Sequence, residues 1–151
     1  MTHLFSRFLL ARLYFDQIVE AVRPKEVRAV LQTITAFTSR STNVEATYDA
    51  AYDLALQRIF TLPKLKRQLA LDTLAWITHA KEPLTTYQLR EALAIEDGAP
   101  TIDKECRPDL DMILTFCAGL VTVERGDSEP RMKLRLIHYT AQEYFARHRN
   151  R

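Results

Sequence analysis

Glycine is almost absent from this chain: three in 151 residues, Gly98, Gly119 and Gly126. Each falls at a turn or element end in the pattern read below. Long intervals without glycine or proline offer few places for a tight turn, so they favour helix. Hydrophobic residues make up 47% and charged residues 26%, the balance of a globular protein able to bury a core. There is no run of about 18 apolar residues, so neither a membrane-spanning helix nor a membrane partner is expected. With 21 basic and 19 acidic residues the net charge is +2. That lacks the basic excess of a dedicated nucleic-acid binder, and no nucleic-acid partner is expected. The two cysteines, Cys106 in DKECRPD and Cys117 in ILTFCAGLV, have no CxxC spacing. Cys117 reads as a small buried side chain. Neither a disulfide framework nor a zinc site is implied, and the default location is cytoplasmic.

Apolar periodicity predicts a first helix over Leu4–Val22, with Phe5, Phe8, Leu9, either Tyr14 or Phe15, Ile18 and Val22 facing inward. Its opening, MTHLFSRFLLARLYF, carries Arg7 and Arg12 and no acid, as a mitochondrial presequence does. The pattern continues through Asp16 and Glu20 without a small-residue cleavage site, which favours a basic amphipathic helix. Pro24 takes the preferred first position of a second helix bearing Val27, Val30, Leu31 and Ile34. TAFTSRSTN (Thr35–Asn43) is polar and reads as a loop. Thr42 and Glu45 form a capping box for a third helix, Val44–Phe60, that buries Tyr48, Tyr52, Ala55, Leu56 and Ile59. Beyond Pro63, Lys64–His79 is helical, with Leu65, Leu69, Leu74, Trp76 and Ile77 as its apolar set.

The rhythm then shortens. Thr85 and Gln88 make another capping box, opening a helix to Leu93. Glu96–Pro100 is a turn, and Asp109–Cys117 a further short helix. Leu120–Glu124 and Met132–Ile137 alternate as strands around a polar tip, Gly126–Pro130. Thr140 and Glu143 predict a capped closing helix, Thr140–Arg149. Three helices followed by a hairpin make a winged helix, and a hairpin this small must pack on the helices to be stable. The expected fold is therefore mainly α: a helical layer, a winged-helix unit with a two-stranded antiparallel hairpin, and a C-terminal helix. The expected division is a helical region at 1–62 and the winged helix at 63–151.

The motifs of catalysis are missing. There is no G-x-x-x-x-G-K-[ST] loop to cradle phosphates, and no G-x-S-x-G, H-E-x-x-H or G-x-G-x-x-G. His3, His79, His138 and His148 have no metal-ligand spacing, so no metal site is expected. Glu82, Glu91, Asp109 and Asp111 read as solvated carboxylates. No nucleophile–base–orienter set can be named, so no enzymatic activity is expected. A winged helix raises the possibility of DNA reading by its third helix, PDLDMILTFC. The acids Asp109 and Asp111 there would repel phosphate, and no Arg or Asn is placed to read a base edge. Arg125, Arg131, Lys133 and Arg135 on the hairpin read as a solvated face.

One position stands apart. In LRLIHYTAQEYFARH (Leu134–His148) a strand runs into a capped helix with His138 at the junction. A helix N-terminus presents unpaired N–H groups and attracts anions. A titratable donor beside it is a candidate phosphate sensor; the plainer alternative is a histidine that caps or packs.

These residues resemble a known family. FLLARLYFDQI (Phe8–Ile18), YDLALQRI (Tyr52–Ile59), ALDTLAWITHAKEPLTTYQLREALAI (Ala70–Ile95), DLDMILTFCAGLVTVE (Asp109–Glu124) and LRLIHYTAQEYFARHR (Leu134–Arg149) are similar to the region that follows the NACHT ATPase domain in fungal NOD-like receptors. Those receptors are signal-transducing STAND ATPases that often carry ankyrin repeats. The later part resembles the winged-helix domain named after GPI inositol-deacylase-like proteins, a label that implies no lipid hydrolysis here because no hydrolase motif is present. The block W-[IL]-[TS]-x-A-x-x-P-L-[TS]-x-x-[EQ]-L, met by Trp76–Leu89, is a specific signal, as are CAGLV and HYTAQEYF. The resemblance implies a regulatory arm packing on a NACHT nucleotide-binding domain, in cis or in trans, and responding to its ADP or ATP. No cofactor is expected in this chain itself. In related animal receptors a histidine in an H-x-[ST]-x-[QK]-E-[FY] context contacts the ADP phosphate. His138, with Thr140, Glu143 and Tyr144, matches that pattern. The ATPase core is missing, so the expectation is either a receptor fragment or a free-standing relic or decoy that docks on intact receptors.

Overall fold

The computed structural model describes residues 13–15, 18–19, 23–40, 44–95, 98, 101, 103–124 and 131–148. Helix α1 (Pro24–Arg40) leads to α2 (Val44–Thr61) and α3 (Lys64–His79), then α4 (Thr86–Leu93) and α5 (Leu110–Phe116). Strands β1 (Val121–Val123) and β2 (Leu134–Leu136) follow, and α6 (Tyr139–Arg147) comes last. The two strands pair antiparallel, with Val121 opposite Leu136 and Val123 opposite Leu134. The three-helix order and the hairpin are those of a winged helix, as the sequence predicts.

Helix α3 is the hub: it touches α2, α4, α5, α6 and β2. Its inward positions are Ala70, Thr73 and Leu74. Small side chains let neighbouring elements approach from several sides. The Thr73 hydroxyl is satisfied within the helix, donating to the Leu69 carbonyl at 2.8 Å. Trp76 and Leu65, expected in the core, are 45% and 83% exposed. The helix buries its narrow side because five elements crowd it, and the indole is left on the rim.

One other expectation changes, and one open choice is decided. Thr35–Arg40 is helical and belongs to α1. The stretch has neither glycine nor proline, and the Thr35 hydroxyl donates to the Leu31 carbonyl at 2.8 Å, so that hydroxyl is met within the helix. Of the choice between Tyr14 and Phe15, Tyr14 is buried with Leu13 while Phe15 is exposed. The expected Thr42–Glu45 box, the Leu4–Val22 boundaries and the 126–130 tip lie outside the described residues.

A second ladder, which no local pattern marks, joins the hairpin on the far side of β2. Leu84 and Thr86, flanking the α4 cap, bond to the hairpin: Leu134 N–H donates to the Leu84 carbonyl at 2.9 Å and Thr86 N–H to the Met132 carbonyl at 2.7 Å. This clips the start of α4 onto β2. The predicted Thr85–Gln88 capping box is present in both directions. After α5 the chain turns through two left-handed residues, Ala118 (φ 51°) and Gly119 (φ 78°). Glycine meets that conformation freely at 119, whereas Ala118 holds it against the strain that such φ values place on a side chain.

One buried cluster joins Tyr48, Tyr52 and Ile59 of α2 to Leu74, Leu89, Ile113, Leu120, Leu134 and Tyr144. Cys117 lies in it, fully buried as expected, and burial pushes its thiol up to about 12.

Candidate functional site

The chain from β2 into α6 determines what His138 can do. Ile137 N–H donates to the Leu120 carbonyl at 2.8 Å, holding the last residue before the histidine against the hairpin. His138 is itself extended (φ −159°, ψ 157°) and is the N-cap of α6. Its Nδ1 accepts from the Thr140 backbone N–H at 3.4 Å and lies 2.9 Å from the Thr140 hydroxyl. The predicted N-cap therefore moves two residues, from Thr140 to His138. Thr140 stands inside the first turn, where its hydroxyl meets Nδ1 of His138 and the Tyr52 hydroxyl, the latter at 2.6 Å. Glu143, two residues beyond the box position, does not close a box.

Because Nδ1 is occupied as an acceptor, the neutral ring carries its proton on Nε2. No hydrogen bond among the described residues holds that edge. Burial pushes the imidazole below its usual pKa, opposed by the nearby Glu143 carboxylate. The ring is half-buried and stacks on Tyr139 at 4.3 Å between centroids. It lines a groove of about 640 Å³ between the α3–α4 connection, the hairpin and the start of α6.

The groove's charges are balanced. Lys81 and Arg135 face Glu82 and Glu124, and Arg135 is paired with Glu124 at 3.1 Å. The His138 ring therefore lies in a mixed setting, with Lys81 and Gln142 on the same lining, not in a phosphate cradle. Of the other candidate carboxylates, Glu91 departs from expectation. It is half-buried, not solvated, and pairs with Arg107, which lies over the Tyr87 ring. Asp109 and Asp111 are exposed at the start of α5. Among the described residues no group of three His, Cys, Asp or Glu could hold a metal ion, and no helix is long and apolar enough to cross a membrane.

What sequence reasoning missed is the seam behind the site. Tyr144 donates to Asp53, and Arg147 forks onto Asp49 at 2.7 and 3.1 Å. With Tyr52–Thr140, these bonds fix α6 on α2. The periodicity of α2 marks Tyr52 as a core position, but nothing local reveals a partner 88 residues away.

No curated protein and no solved structure matches the chain. The family described as GPI inositol-deacylase, winged helix domain, matches residues 56–150. That stretch contains the hub helix, the clipped hairpin and the helix that His138 caps, and over it the chain belongs to the GPI inositol-deacylase winged-helix domain family.

Proposed function

We propose that this chain is a non-catalytic regulatory module of a NACHT-type STAND receptor. In this reading it works in the cytoplasm, packs on the nucleotide-binding domain in cis or in trans, and couples the ADP/ATP state to activation and oligomerisation. The observation that carries the proposal is the His138 ring: one nitrogen is engaged by its own helix, and an N–H edge is left at an open groove. The winged-helix membership and the resemblance to post-NACHT sequences support the same reading. In it, Nε2–H donates to a phosphoryl oxygen of ADP held by the partner domain. A hydrogen bond to a charged acceptor contributes about 1.5–3 kcal/mol. That suffices to bias a closed–open equilibrium tenfold or more, but not to retain nucleotide alone.

The test is ADP release from an intact receptor carrying this module. His138→Ala should speed release by about tenfold or more. His138→Asn, which keeps a side-chain oxygen to cap α6 but sets its amide N–H₂ closer to the backbone than Nε2 reaches, should do the same. An unchanged off-rate in both variants removes the assignment. The isolated chain should bind ADP weakly or not at all by calorimetry and should show no ATP turnover. A DNA-reading role is disfavoured by the exposed acids on α5.

A further inference from the structure

Three side chains from two distant segments form a single file: Tyr52 Oη, Thr140 Oγ1 and His138 Nδ1, spaced 2.6 and 2.9 Å. Each hydroxyl has one proton to give. Tyr52 is fully buried, and its hydroxyl meets only Thr140 among the described residues. If Thr140 donated to Tyr52, the buried phenol proton would have no acceptor, and such groups are rarely left unmade. The consistent order is Tyr52 to Thr140 to His138 Nδ1, and the Thr140 backbone N–H points to the same nitrogen.

We infer that Tyr52 and Thr140 are positioning residues that fix the tautomer of His138, so that its groove-facing edge acts only as a hydrogen-bond donor. A ring held this way selects an acceptor, such as a phosphoryl or carboxylate oxygen, and offers no Nε2 lone pair to a metal ion or a donor. The file also links the groove to α2. Placing a proton on Nδ1 forces the Thr140 hydroxyl to reverse and strands the Tyr52 proton in the core. The groups around the ring are Glu143 and Tyr139 on α6, Tyr48 and Asp49 beside Tyr52 on α2, Lys81 and Glu82 on the α3–α4 connection, and Glu124 and Arg135 on the hairpin. The Tyr52–Thr140–His138 file holds the ring in this way whatever the Nε2 edge meets.

The experiment is long-range ¹H–¹⁵N NMR of the His138 ring in the whole chain, with a pH titration. Wild type should show Nδ1 unprotonated and Nε2 protonated at neutral pH. Thr140→Val keeps the backbone N–H to Nδ1 but loses the hydroxyl, so it should weaken that preference and draw the two nitrogen shifts closer together, and Thr140→Ser should restore it. Tyr52→Phe removes the stranded proton, so the His138 titration midpoint should rise by about half to one pH unit, the worth of one neutral hydrogen bond. A wild-type ring protonated on Nδ1 overturns the inference. So do Thr140→Val nitrogen shifts identical to those of wild type, or a folded Tyr52→Phe protein with an unmoved midpoint.

Discussion

A histidine that caps a helix with an unprotonated nitrogen makes the start of that helix sensitive to acid. The His138 pKa is lowered in the fold, so near and below the usual value of about 6.5 the unfolded chain holds more protons than the folded one. The stabilisation is complete above that value and is lost as the pH falls through the folded value. Thermal unfolding at pH 5 and pH 7.5 should therefore show a larger drop for wild type than for His138→Asn, whose cap does not titrate. Equal drops would show that the cap does not depend on this proton. The cysteines make a second contrast at this scale. Cys106 is exposed, whereas Cys117 is buried with its thiol pushed up to about 12. A thiol reagent should label one cysteine quickly and the other only on unfolding, since the thiolate is the reactive form.

At the scale of elements, the seam between α2 and α6 is polar and the hub around α3 is apolar, and the two should respond differently to mutation. Leu134 on β2 is 1% exposed. Leu134→Ala should cost about 2–5 kcal/mol in denaturant unfolding, because a cavity remains where the leucine packed. Trp76→Ala should cost far less, since the indole lies on the surface. Arg147→Ala removes a forked but solvent-exposed pair and should cost about 0.5–1 kcal/mol. A Trp76→Ala loss as large as that of Leu134→Ala would contradict the assigned inward face of α3. The capping box at Thr85 was legible because its four residues are local. The cap of α6 was misplaced by two residues because histidine can also accept from a backbone N–H, and Thr–x–x–Glu spacing cannot tell which of two acceptors wins.

For the molecule as a whole, one core runs from Tyr48 on α2 to Tyr144 on α6. The winged helix is thereby built onto the helix before it. The family match begins at residue 56, yet Tyr52, Asp49 and Asp53, which hold α6 in place, precede it. Removing that helix should therefore lower the stability of the winged-helix segment, measurable as a lower midpoint in urea for the shortened chain.

The scarcity of glycine, the period of each apolar stripe, the Thr85 box and the turn residues before β1 were enough to establish a helical layer, the three helices of the winged unit, a hairpin and a final helix. These are local properties, determined by a residue and neighbours within one or two turns. The tertiary structure decided which face of α3 is crowded, that Leu84–Thr86 ladders onto β2, and that a tyrosine from α2 reaches the threonine beside His138. Such contacts join residues far apart in the chain, where satisfying a buried hydroxyl depends on packing that no local pattern records.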